Sequence, residues 1–293
     1  MFFKLGECRL YHEQRTIDHA GWQDFAWKLR AWWKARHDSH GEPWASENRL
    51  VLGQRKVDEK SNEITAIPEL LKVLDLEGAV VSIDAMGCQS VIAEQIVTQQ
   101  GDYVLALKGN QGNLLEDVSQ LFEQAHANAF AGIEHDYYET QETGHGRQET
   151  RRYWVMGQTE YLIGAENWAK LTTVGCVESQ RQVGDTINRE ICYYLLSLPL
   201  DAQRFAKAIR DHWGIENQLH WILDVAFRED QSRATAGYSG ENLAVIRHIA
   251  VNLLSQEKST KGGTHAKRLK AGWDDQYLFK VLTAQANNAS AKL

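Results

Sequence analysis

Two short apolar runs fix the outline of this chain. Gly78-Ala-Val-Val-Ser-Ile-Asp84 and Asp102-Tyr-Val-Leu-Ala-Leu-Lys108 are almost unbroken in apolar residues, the pattern of strands covered on both faces. Around them the period changes. Ile64, Ile67, Leu70, Leu71 and Leu74 recur at helical spacing within Glu63 to Leu76, Ile92 to Val97 belongs to a second helix, and Asn113 to Phe130 reads as a third. Ser61 or Asn62 would cap the first helix, and Pro68 falls in about its first turn, where a missing N–H does least harm. Upstream, Arg49 to Val57 alternates as a strand, with Gly53 near a bend. Strand, helix, strand, helix, strand predicts an α/β fold whose sheet has a parallel component and helices on its faces. In such sheets, polar residues at the carboxyl ends of strands line the functional crevice. Asp84 and Lys108 each stand at such an end.

Residues 131–200 change character. Tyr137, Tyr138 and Tyr153 to Val155, then Leu171 to Val177 and Glu190 to Leu198, predict antiparallel strands, with Gly144-His-Gly-Arg147 as the first turn. Asp201 is placed to cap a helix starting at Ala202. That helix leads into Arg210-Asp-His-Trp-Gly-Ile-Glu216-Asn-Gln-Leu-His-Trp221-Ile-Leu-Asp224, which reads as one continuous helix. Glu216 lies four residues after His212 and four before His220, so a carboxylate sits between two imidazoles on one face. Asn242 to Leu254 is a last amphipathic helix, and the polar tail after Ser259 is expected to be loosely ordered.

Composition narrows the setting. The chain has 293 residues, 43% apolar and 24% charged, enough for one large domain or two small ones. No apolar run has the length of a membrane span and no signal-peptide layout opens the chain. Cys8, Cys88, Cys176 and Cys192 are scattered without metal-ligand pairing, so a reduced, cytoplasmic protein is expected. A net charge of −7 argues against nonspecific coating of nucleic acid. Two local basic clusters stand out against it, Arg147, Arg151 and Arg152, and Lys258, Lys261, Lys267, Arg268 and Lys270. Taken alone, each is better read as a solvated charged face.

The candidate chemistry rests on two carboxylates. Asp84 ends an apolar strand before the small residues Ala85-Met-Gly87, as a helix cap or as a metal ligand. Glu216 is either an acid balanced by Arg210 or a histidine, or a second ligand. Oxygen ligands suit Mg²⁺ or Mn²⁺, and phosphoryl-transfer sites combine a few carboxylates with such ions. His212, Glu216 and His220 also admit zinc, although not in the His-Glu-x-x-His order of a zinc protease.

These residues carry a resemblance. Lys60-Ser-Asn-Glu-Ile64, Asp84-Ala-Met-Gly-Cys-Gln89, Leu107-Lys-Gly-Asn-Gln111, His145-Gly-Arg147 with Glu149 and Arg151, the 210–221 segment, Leu223-Asp-Val225 and Glu229-Asp230 together resemble the H-repeat-associated family of bacterial insertion-sequence transposases. The similarity runs from about Ala45 to Leu282. It implies a DDE transposase with a ribonuclease H-like mixed sheet flanked by helices and a β-rich insertion, 131–200, before the last catalytic helix. It further implies that Asp84 and Glu216 are the second and third catalytic acids and hold Mg²⁺ or Mn²⁺. Arg147, Arg210 and His212 would contact DNA phosphate, and Lys108, beside Asn110 and Gln111, would contact DNA backbone or be a surface lysine. Ile209 and Leu223 depart from the family's tyrosine and lysine positions.

The family's first acid lies in an Asp-Gly-Lys-Thr-Leu-Arg segment that this chain lacks. Asp24 is the nearest lookalike but has no Gly-Lys after it. Regrouping the permitted codons one nucleotide later from Gly21 yields Asp-Gly-Lys-Thr-Leu-Arg-Gly-Ser, and the frames rejoin near Pro43-Trp44. Trp-rich text is what Gly and Arg codons give out of frame, and five of the ten tryptophans fall at or before Trp44. Residues 1–43 are therefore read as an aberrant, out-of-frame segment with no reason to pack as the first strand. Residues 44–258 are read as the catalytic core and 259–293 as a C-terminal tail.

The expected function is metal-dependent DNA cleavage and strand transfer at the ends of an insertion sequence, impaired by loss of the first aspartate. An inactive relic with residual DNA binding and a simple metal nuclease are the alternatives. DNA ends and target are the expected partners, with no membrane, and pairing of two ends suggests a homo-oligomer.

Overall fold

The structure is a computed structural model that describes residues 2–3, 40–41, 44–45, 50–51, 55–56, 63–144, 146–215, 219–234 and 236–290. Asp24, His145 and Glu216 lie outside the described residues, as do Ser61 and Asn62. Strand β6 (Val80–Ile83) and strand β7 (Asp102–Leu107) pair in parallel, Val81 opposite Tyr103 and Ile83 opposite Leu105. Around them stand helices α1 (Glu63–Lys72), α2 (Ser90–Thr98) and α3 (Gly112–Ala127). Pro68 is the sixth residue of α1, past the first turn, and its carbonyl accepts from Gln95 Nε2 at 2.8 Å, tying α1 to α2. Ile67, Leu71, Val81, Ile83, Ile92, Ile96, Leu105 and Phe122 pack into one buried cluster. Each such side chain contributes roughly 1.5–3 kcal/mol on leaving water.

Among the described residues the sheet has nine strands, ordered β4-β3-β1-β6-β7-β11-β10-β9-β8. Two-residue strands β1 (Phe2–Phe3), β3 (Trp44–Ala45) and β4 (Leu50–Val51) form one edge. β2 (His40–Gly41) and β5 (Arg55–Lys56) pair separately. Two expectations change here. The single strand expected over 49–57 is two, divided between different sheets. Phe2–Phe3 does pack where the first strand was expected to be missing, parallel to β6 with Phe2 opposite Ser82. Backbone pairing alone suffices for that contact, and it brings no carboxylate.

The 131–200 block forms two long hairpins. β8 (His135–Gly144) pairs with β9 (Arg147–Met156), β9 with β10 (Thr173–Val183), and β10 with β11 (Thr186–Leu196). β11 joins the core antiparallel to β7, with Tyr193 opposite Leu107. The block is thus an extension of the sheet rather than a separate module. Residues of β11 before Tyr193 run past the carboxyl end of β7, so the distal hairpins project on the side where Asp84 and Lys108 lie.

Helix α4 (Ala202–Ile215) begins as expected, with Arg204 N–H donating to Asp201 Oδ1 at 2.8 Å. Of the continuous helix expected over 210–224, residues 210–215 belong to α4 and 221–224 to α5 (Trp221–Phe227), while 216–218 lie outside the described residues. Leu219 and His220 between them take the wider π-type turn, a feature frequent at functional sites. α6 (Ser239–Gln256) follows.

The tail after Ser259 is not loosely ordered. α7 (Thr264–Trp273) and α8 (Asp275–Ser290) pack against α6 through Leu254, Tyr277 and Val281. Buried Lys267 donates to the carbonyls of Leu254 and Glu257, satisfying the end of α6. Glu257 accepts from Ser259 N–H, Ser259 Oγ, Thr260 N–H and, at 2.8 Å, Tyr277 OH. Burial opposes ionisation of this carboxyl, yet those hydrogen bonds hold it down to about 2. No helix among the described residues is long and apolar enough to cross a membrane.

Candidate active site

Strand alternation gathers the candidate residues on one face. Val80 packs against the cluster that α4 covers, and Ser82 Oγ lies 2.9 Å from His212 Nδ1 on α4. Asp84, two residues on, belongs to the same face. On β7, Val104 and Ala106 pack against that cluster, so the extended residue Lys108 (φ −141°) shares it. Tyr153 and Val155 do the same on β9, which places Arg147, Glu149 and Arg151 on the α4 side. Asp84, Lys108, Arg147, Arg210 and His212 thus belong to the side of the sheet that α4 covers. Glu216 lies outside the described residues. In sequence it follows Ile215, the last residue of α4, and His212 precedes it by four.

Asp84 is buried, 5% exposed. Its Oδ1 accepts from Met86 N–H at 3.2 Å and caps the short helical turn Ala85–Gly87. Cap and metal ligand are compatible readings, since a carboxylate offers about four lone-pair sites on two oxygens. The turn is built for close packing. A Cβ on Gly87 would stand 2.3 Å from Ile83 Cγ2 and 2.8 Å from Ile67 Cδ1, which makes glycine obligatory in Asp84-Ala-Met-Gly87. From the neighbouring strand end, Asn110 Nδ2 donates to Ala85 O at 2.7 Å and Gln111 Nε2 to Cys88 O at 3.0 Å. Lys108-Gly-Asn-Gln111 therefore braces the loop that carries Asp84. This positioning role, and that of Ser82, escaped the sequence reading. The signals present were a lone serine in an apolar run and two amides after a strand.

The arginines are held by glutamates. Arg210 Nη2 lies 2.6 Å from Glu142 Oε1, Arg151 Nη2 2.6 Å from Glu149 Oε2, and Arg147 Nε 3.2 Å from Glu149 Oε1. Arg210 and Glu142 are both more than 40% exposed, and exposed pairs of this kind contribute at most about 1 kcal/mol. A phosphate can replace such a partner at little cost. Ile209 and Leu223, at the family's tyrosine and lysine positions, are buried, Ile209 beneath α4 and Leu223 against Leu219 and Val251.

No group of three or more His, Cys, Asp or Glu among the described residues is arranged to hold a metal ion. Asp84 supplies the oxygen chemistry that a hard divalent cation takes.

The mixed sheet, with its parallel centre and flanking helices, is that of a ribonuclease H-like α/β protein. Residues 44–253 match the transposase DDE domain family, and the chain belongs to that family. Domains of this family generally use divalent metal ions. It is 43% identical over 244 residues to YbfL and to YhhI, an H repeat-associated transposase candidate, both of Escherichia coli K12. The identity is also 43%, over 245 residues, to the transposase candidate YncI of Escherichia coli O157:H7. These alignments take in 82% of this chain but only 64%, 64% and 62% of the three relatives. The chain spans less than two-thirds of their length.

Proposed function

We propose that this chain is the catalytic core of an insertion-sequence transposase, built for DNA strand cleavage and transfer and impaired by the lack of its first acid. The observation that carries this reading is the Ser82–His212 contact at 2.9 Å. It lays α4 along β6, on the face of Asp84, one helical turn in sequence before Glu216. Asp84 and Glu216 would hold Mg²⁺ or Mn²⁺, which supplies charge neutralisation to an in-line phosphoryl transfer. Water is the first nucleophile and a DNA 3′-hydroxyl the second. Lys108, Arg147, Arg210 and His212 bind phosphates of the DNA and set its register; none carries sequence information by itself. His212, fixed by Ser82, holds the end of α4 against the strand that bears Asp84. Pairing of two element ends favours a homo-oligomer as the working state.

The missing acid favours a second reading, an inactive relic. Residues 1–43 are in this account the product of a shifted frame. In support, the family match begins at residue 44, next to the point at which the two frames would rejoin. A strand-transfer assay with Mn²⁺ on DNA carrying the element's own ends separates the readings. Joined product overturns the relic, nicking without joining favours a simple nuclease, and neither product supports impairment.

A further inference from the structure

The projecting hairpins have chemically different faces. On the α4 side the distal positions are charged, Arg147, Glu149, Arg151 and Arg181. On the other side amides and hydroxyls predominate, with exposed Ile187 and Arg189 beside them. Register places Gln148 opposite Gln182, and Gln180 opposite Thr150. The two tips enclose an open cavity of about 340 Å³ lined by Thr143, Gly146, Arg147, Gln148, Gln182 and Gly184. Gly146 (φ +73°) and Gly184 (φ +58°) make the turns, and a Cβ at either would meet nothing within 4 Å. The tips therefore leave their backbone accessible. Gln182 Nε2 donates to Gly184 O at 3.2 Å, which orients its amide on the turn.

From this arrangement we infer that the paired tips enter the major groove of duplex DNA, where Gln148 and Gln182 read base edges. The inference rests on the DNA reading above and adds sequence recognition to it. A sheet with its side chains is about 10 Å thick, and the major groove is about 12 Å wide. A tip entering end-on brings Gln148 and Gln182, which flank the turns, down to the base edges on the groove floor, while Arg147 on the opposite face reaches a phosphate wall. A glutamine amide matches the N6–H donor and N7 acceptor of adenine. Tyr193, opposite Leu107, and Ile187, opposite Gln182, are six positions apart on β11, so the tips reach about 20 Å beyond the end of β7 at strand rise.

The test is selection by the full chain from a pool of randomised 30-base-pair duplexes, at fixed salt and without divalent metal. It is repeated with Gln148→Ala/Gln182→Ala and with Arg147→Ala, after melting curves confirm that each variant is folded. The wild-type chain should enrich a motif containing adenines. The double glutamine variant should lose about tenfold of that preference while binding scrambled duplex within about threefold of wild type. Gln148→Asn, one methylene shorter, should relax the same base positions in a fold left otherwise unchanged. Arg147→Ala should weaken all duplexes alike. An unchanged motif in the glutamine variants, or binding without any enriched motif, overturns base reading by the tips and leaves the DNA-binding reading standing. Retention of no duplex overturns both.

Discussion

Gly87 and Asp84 illustrate how a short motif is set by packing and chemistry together. Asp84 must end a buried strand, and the turn behind it has room only for glycine. Gly87→Ala forces Ile83 or Ile67 to move and should cost about 1–3 kcal/mol, the range of an overpacked core. A thermal melt shows this as a lowered midpoint, and an unchanged midpoint would refute the packing argument. Asp84→Asn keeps the size and the cap but removes the charge. In a chain with its first acid restored, it should reduce strand cleavage about a thousandfold, a loss of roughly 4 kcal/mol of barrier lowering. Binding of end DNA, measured by anisotropy, should change less than about threefold. Equal loss of binding and cleavage would make Asp84 a structural residue only.

Helix α4 and the C-terminal helices raise the same question for whole elements. Ser82→Ala removes one buried hydrogen bond, typically about 1 kcal/mol, and frees His212 from β6. Stability should drop by that amount, and hydrogen exchange should quicken at the end of α4 more than at its start; uniform exchange would deny Ser82 a positioning role. α7 and α8 depend on Glu257, whose folded carboxyl lies at about 2 against 4.5 for the unmodified group. A depressed value stabilises the docked helices fully above about pH 4.5, and that contribution disappears as pH falls towards 2. Hydrogen exchange across 264–283 should therefore accelerate through that window in the wild type. Glu257→Gln should be less protected already at neutral pH and flatter in its response. A wild-type profile flat from pH 5 to 2 would contradict this.

The same elements show what a single sequence discloses. β6 and β7 were legible because both faces are covered, leaving continuous apolar runs. The distal halves of β8 to β11 were not. They project beyond the core, so neither face is apolar and the alternation fades; the two inner strands were read as starting or ending several residues short. α7 and α8 were hidden for a different reason. Their buried members include Lys267, which a composition argument assigns to solvent although its amine caps α6. Asp84 and Lys108 were singled out because strand ends in a parallel sheet are where functional residues gather, and both do stand at strand ends. Ser82, Asn110 and Gln111 were not, since their roles depend on contacts between segments up to 130 residues apart.

At the scale of the molecule, the proposed site joins Asp84 and Glu216 on a sheet whose first strand, on that proposal, lacks its acid. The family match from residue 44 to 253 and the Asp84 side of the sheet agree. Sequencing the gene across codons 15–50 should reveal Asp-Gly-Lys near codon 21 in the shifted frame; its absence would refute the frame explanation and leave the missing acid unexplained. The central claim is tested most directly by comparing the chain as encoded with one whose 1–43 frame is restored, in a Mn²⁺-dependent strand-transfer assay on the element's own ends. Joined product from the restored chain alone is the predicted result. Equal joining by both chains would contradict the account, because the site would then need no acid from that segment.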